Sequence, residues 1–255
     1  TGVTFGPSFD EQGYIDDAKQ SAAKLGKSSL KKYDYDTDES TPSFSIEVQG
    51  VNPVKIQNCV VFGSIKVTGS DATQTEINAC TITRAYNRAA ISVKGAHPQV
   101  TNCSIHDNES IGIKISDKGA GKYEGNGIYN HSRPAVVVRQ RAKPIFRNNN
   151  IYDNFANGIV VEEGGSGIFH SNDLHHNKYP AVYIASCPHK SIEMQANSSS
   201  RSLKSMDTQQ QQQFSAPQFI KNRIHDNESN GVIFTHRCVV EFVGNEVYHH
   251  HTDAA

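Results

Sequence analysis

The chain has 255 residues, a formal net charge of -1, a mean hydropathy of -0.55 and 36% hydrophobic residues, with no tryptophan. That length can bury one large core or two small ones. The near-neutral charge weighs against a nucleic-acid binder, which needs a basic face, and no run approaches the roughly 18 consecutive apolar residues of a membrane-crossing helix.

Residues 1–43 read as an N-terminal cap and linker. Thr1 to Phe5 has neither the charged start nor the apolar run of a secretory leader, and the expectation is a piece of a longer protein. Asp10 to Leu25 is a short helix candidate with Ile15, Ala18, Ala22 and Leu25 on one face, suited to closing a solenoid end. Tyr33 to Ser40 is a solvated acidic stretch.

From residue 44 to 251 a repeat governs the chain. One slot holds Cys59, Cys80, Cys103, Asn126, Asn149, Asn172, Asn222 and Asn245, with spacings of 21, 23, 23, 23, 23, 50 and 23. Three residues earlier stand Ile56, Ile77, Val100, Tyr123, Phe146, Phe169, Phe219 and Phe242. About ten residues after the slot comes a small residue and an apolar-x-apolar triplet, as in Gly112-Ile113-Lys114-Ile115 and Gly158-Ile159-Val160-Val161. Each unit thus holds two or three short strands of period two, separated by Asn, Gly, Asp and Pro turns.

Such a unit cannot bury its own apolar face, but copies stacked in register can. The spacing predicts an all-β fold, a single-stranded right-handed parallel β-helix of about eight to nine rungs with a period of about 23 residues. Equivalent residues then lie about 4.8 Å apart. Residues 188–216, with Ser198 to Ser200 and Gln209 to Gln213, read as a low-complexity insertion replacing one rung.

The pattern N-x-I-[HY]-[DH]-N-x-x-x-G-I-x-V, as in Asn222 to Phe234, resembles the parallel β-helix repeats of the pectin-lyase-like superfamily. Polysaccharide lyases, alginate epimerases, a periplasmic family associated with copper delivery, and eukaryotic proteins of the F-box and SHC-binding type share them. The resemblance implies the fold across nearly the whole chain. The F-box and SHC-binding relatives imply an adaptor, and the lyases imply carbohydrate chemistry, since one scaffold hosts many activities.

The outward face of the apolar-x-apolar strand carries the first site expectation. Ser92 and Lys114 are polar there, as a half-exposed strand requires, but Val137, Val160, Tyr183 and Ile233 follow. That predicts an exposed apolar strip edged by Arg139, Arg141, Glu162 and His236, a surface for a protein partner. The partner-binding set is Val137, Arg139, Val160, Glu162, Tyr183 and Ile233, unless the insertion or the N-terminal segment covers the strip. Glu162 is expected outward beside Arg139 as an exposed ion pair.

A second column, Tyr129, Tyr152 and Tyr248, shares its position with His106, His175 and His225, and offers aromatic rings on which sugars stack. Only His175, His176 and His225 lie close enough together to invite a metal, and stacking about 4.8 Å apart spreads ligand atoms rather than converging them. No metal or cofactor is expected. Asp107, Asp153 and Asp226 share a turn column interrupted by Asn130 and His176, so no three acids gather on adjacent rungs, and the balance weighs against an enzyme. Five cysteines, and N-x-S/T patterns at Asn102, Asn108, Asn130, Asn197 and Asn227, point to an intracellular setting. The reading is a non-enzymatic protein-interaction module, with a carbohydrate-active or sugar-binding protein and a structural rod as alternatives.

Overall fold

The computed structural model describes residues 4–5, 44–50, 53–70, 74–185, 216–235 and 238–251. The helix candidate at residues 10–25, the acidic stretch, Cys187, His236 and the insertion through residue 215 lie outside the described residues. Those that are described form strands and turns with no helix. Three parallel sheets run the length of a solenoid: sheet A with nine strands, sheets B and C with eight each.

Each rung supplies one strand per sheet. A central rung reads Ser104–Asn108 in sheet A, Ile113–Ser116 in sheet B and Lys122–Glu124 in sheet C. The register is fixed at one residue per rung, so Ile105 pairs with Ile82 and Ile128, and Tyr123 with Val100 and Phe146. The long gap in the repeat does not disturb it: Leu174 pairs with Ile224 and Phe169 with Phe219. Thr4–Phe5 adds a strand to sheet A beside Val60 and Val61.

The turns explain why the pattern closes into a coil. Between sheets C and A the chain always passes through one residue with positive φ and then the Cys/Asn slot. Asn148 (φ 54°), Ser171 (φ 54°) and Lys221 (φ 53°) fill the first position in successive rungs. A single left-handed residue redirects a strand sharply, and Asn and Gly adopt that conformation at low cost. The Asn slot then joins the rungs. Asn149 Nδ2 donates to Tyr123 O and to Asn172 Oδ1, both at 2.9 Å, and its backbone N–H donates to the same Oδ1 at 3.0 Å. Asn126, Asn172 and Asn222 repeat these bonds with their own neighbours.

A second ladder stands where sheet A turns toward sheet B: Asn108, His131, Asn154, Asn177, Asn227 and His250. Asn154 Nδ2 donates to Asn177 Oδ1 at 2.8 Å and Asn177 Nδ2 to Asn227 Oδ1 at 2.9 Å. Gly112 is required here, because a Cβ on it would meet the His131 ring at 2.7 Å and Ala135 O at 2.5 Å.

The core lies inside the coil. Ile105, Ile128, Ile151 and Leu174 of sheet A, the inward apolar residues of sheet B from Ile65 to Ile184, and the aromatic column of sheet C from Tyr123 to Phe219 are buried. Tyr123, Phe146, Phe169 and Phe219 stack with centroids 4.5 to 5.6 Å apart. Each fully buried side chain of this size contributes about 1.5–3 kcal/mol relative to exposure, so the repeat is stabilised rung by rung.

Candidate binding face

Strands of sheet A turn only their middle residue inward, which leaves two side chains per rung on the outer face. The second of these forms an unbroken column of rings: His106, Tyr129, Tyr152, His175, His225 and Tyr248. Adjacent rings lie face to face, with centroids 4.8 to 5.2 Å apart and planes within 17° of parallel. The rung spacing sets this distance, so the stack follows directly from placing flat side chains at period 23.

Polar groups flank the rings on both sides. His106 Nδ1 lies 2.7 Å from Asp107 Oδ2, and Asn130 Nδ2 donates to Asp107 Oδ1. Burial pushes the Asp107 carboxyl up, but the bonds from His106 and Asn130 outweigh it and hold the group below the usual carboxylate range. Farther along, His225 sits between two carboxylates, with Nδ1 2.7 Å from Asp226 Oδ2 and Nε2 2.9 Å from Asp173 Oδ1. Arg223 also pairs with Asp173. The contact with His225 lowers the Asp226 carboxyl. His175 Nδ1 lies 2.7 Å from His176 Nδ1 and its Nε2 3.0 Å from Asn150 Oδ1, while burial lowers its pKa.

The tyrosines expected to stack on sugars stack on their neighbours instead. Both faces of Tyr129 and Tyr152 are covered by adjacent rings, and one face of Tyr248 lies on His225. Only edges and hydroxyls reach solvent, so the expectation of sugar rings lying flat on Tyr129 and Tyr152 is corrected. Among the described residues, no group of three or more His, Cys, Asp or Glu is arranged to hold a metal ion.

On sheet B the structure places Lys114, Val137, Val160, Tyr183 and Ile233 in one column, as the spacing requires. The expected exposure does not follow. Val137 and Val160 are 0% and 1% exposed, packed with Ala89 and Ile111 in a small apolar cluster against which Tyr183 lies. Tyr183 and Ile233 remain half-buried. At the edge, Arg139 pairs with Glu162 at 3.8 Å as expected, but the pair is largely buried rather than exposed, and the guanidinium also meets both carboxylate oxygens of Glu163 at 2.8 and 2.9 Å.

Residues 44–198 match the family model described as the right handed beta helix region. The chain belongs to the right-handed β-helix family. Among solved structures it is similar to the A-module of mannuronan C-5 epimerase AlgE6 from Azotobacter vinelandii, at 13% identity and a TM-score of 0.36. The match covers 84% of this chain and 58% of that one, so this chain spans little more than half the other's length. The β-helix family explains the scaffold, and a likeness this distant says nothing of activity.

The ring column was expected from the sequence, and the structure shows its rings packed face to face. The second ladder was not singled out there, although Asn108, Asn154, Asn177 and Asn227 recur on the same period as the first slot.

Proposed function

We infer that the chain is a recognition module rather than a catalyst, and that it docks an extended segment of a protein partner along the outer face of sheet A. The ring column carries this reading. It is straight and half-exposed, and it runs over six stacked positions, which suits a ligand lying along the solenoid axis. With ring faces taken up internally, and the nitrogens of His175 and His225 bonded to their neighbours, the tyrosine hydroxyls and the flanking carboxylates are the groups to which peptide groups and polar side chains can bond.

Charge supports a basic segment. Asp107, Asp153, Asp173, Asp226 and Glu246 line the column, with Arg223 beside Asp173 and Arg84 one rung before Asp107 as the guanidinium groups near them. The same carboxylates disfavour a polyuronate. The pairing of His106 with Asp107, and of His225 with Asp173 and Asp226, fits fixed recognition groups better than a poised acid and base. Tyr183 and Ile233, the half-exposed end of the sheet B strip, are a secondary contact in this reading. The free thiols Cys59, Cys80 and Cys103 suit a reducing, intracellular compartment.

The test is a photo-crosslinking residue at exposed Asn150 on sheet A, compared with the same residue at exposed Lys122 on sheet C, in native lysate. Adducts with one discrete protein from position 150 alone are expected, competed by lysine-rich peptide. Equal labelling from both positions would defeat the reading. Binding of the intact chain to neutral glycans on an array, without a protein adduct, would replace it with the carbohydrate alternative.

A further inference from the structure

Cys59, Cys80 and Cys103 occupy the slot that asparagine fills in later rungs. Ile56 pairs with Ile77 and Val60 with Thr81, which sets Cys59 directly over Cys80. Ile77 pairs with Val100 and Thr81 with Ser104, which sets Cys80 over Cys103. All three are free thiols. Stacked equivalents have Cα atoms about 4.8 Å apart, inside the range of roughly 4.4–6.8 Å that a disulfide spans.

The thiols take over part of the asparagine's work. Cys80 Sγ donates to Ile56 O at 3.4 Å and Cys103 Sγ to Ile77 O at 3.6 Å, the bond that Asn126 Nδ2 makes to Val100 O at 2.9 Å. These bonds line the sulfurs up along the coil. They differ in access, for Cys59 is half-exposed while Cys80 and Cys103 are buried. They differ also in proton affinity. Interaction between the two neighbouring thiols lowers Cys80 and, together with burial, raises Cys103.

We propose that Cys59 and Cys80 form an inter-rung disulfide when a hydroperoxide reaches Cys59, so that the first two full rungs carry a thiol pair that oxidation staples together. The Cys59 sulfur attacks one peroxide oxygen, the O–O bond breaks, and Cys59 becomes a sulfenic acid. The Cys80 thiolate then attacks the Cys59 sulfur; the S–S bond forms and the S–O bond breaks. Two thiols and one hydrogen peroxide yield one disulfide and two waters, with both thiol protons leaving in water. Cys59 reacts first because it alone of the three is open to solvent. Cys80 resolves it because Cys103 stands two rungs from Cys59, about 9.6 Å away, beyond the reach of roughly 7 Å.

Treating the intact chain with stoichiometric hydrogen peroxide, alkylating the remaining thiols and mapping peptides without reduction tests this. A peptide pair joined through Cys59 and Cys80, lighter by two hydrogens, is expected to accumulate in the unaltered chain. It should vanish in Cys59→Ser and persist in Cys103→Ser. A Cys80–Cys103 bridge, a bridge from Cys59 to Cys187 or Cys238, or over-oxidation of Cys59 beside a reduced Cys80 would each overturn the proposal. The mapping of the unaltered chain decides even if a variant folds poorly.

Discussion

His131 stands in a ladder position that asparagine holds in neighbouring rungs, and the exchange has a cost. Its ring bonds Ile105 O through Nε2 at 3.1 Å, while Nδ1 is buried without a hydrogen-bond partner. Burial pushes the pKa down to about 3, against a smaller upward pull from the Ile105 carbonyl. The folded chain therefore keeps this imidazole neutral at pH values where the unfolded chain protonates it. A histidine depressed in this way contributes stability above its unfolded pKa, near 6.5, and loses it as pH falls toward the folded value. Denaturant titrations should show a loss of about 1.4 kcal/mol per pH unit from this group between pH 6 and 3. His131→Asn should remove that component of the slope. An unchanged slope would mean that His131 titrates freely. Val160 makes the complementary point. Buried among Ala89, Ile111 and Val137, it cannot take a carboxylate cheaply, and Val160→Asp should cost at least about 3 kcal/mol in thermal or chemical unfolding. Tyr183→Asp is the variant that probes docking on sheet B without emptying a packed site.

At the scale of the ladder and the strand, one asparagine serves several backbone groups together. Asn172 Nδ2 donates to Phe146 O, and Asn172 Oδ1 accepts the backbone and side-chain donors of Asn149. Asn172→Ala strands these groups in a dry turn, and a loss of about 3 kcal/mol is expected by equilibrium unfolding. Phe146→Ala should cost about 3–5 kcal/mol and Phe242→Ala clearly less, because the column is closed around Phe146 and half-open at Phe242. Equal losses would mean that the two ends of the column are packed alike. The columns themselves were legible in the sequence, since Ile, Val and Phe recur at fixed offsets from the Cys/Asn slot and only stacking satisfies them. The second ladder was harder to read because His131 and His250 interrupt it and because acids and histidines crowd the adjoining turn. The burial of Val137 and Val160 was not legible at all. Period two says which way a side chain points, and it is silent on whether Ala89 and Ile111 come to lie over it. Spacing likewise placed Tyr129 and Tyr152 in one column, where the rung spacing brings their rings face to face at 4.8 Å.

Across the whole molecule the two ends differ. Val247 is 44% exposed, whereas Ile224, its equivalent one rung earlier, is fully buried. Phe234, Val239 and Val243 on the same last rung are exposed as well. Because each rung is held only by its neighbours, stability should decline toward this end. Hydrogen exchange should be fastest at Val232–Phe234, Glu241–Val243 and Glu246–Tyr248, and slowest at Val136–Val138 and Ile159–Val161. Uniform protection would show that the end is covered in solution. The three corners of the coil differ in another way. The passage from sheet C to sheet A is always two residues, while that from sheet B to sheet C is short in most rungs and spans residues 185–217 in one. Doubling a loop adds only about 0.6 kcal/mol of closure entropy, so the step from a separation of 23 to one of 50 barely slows the coil as it zips up. Sequence can accumulate at the third corner almost without kinetic consequence, whereas one residue added at the first would throw the asparagine ladder out of phase.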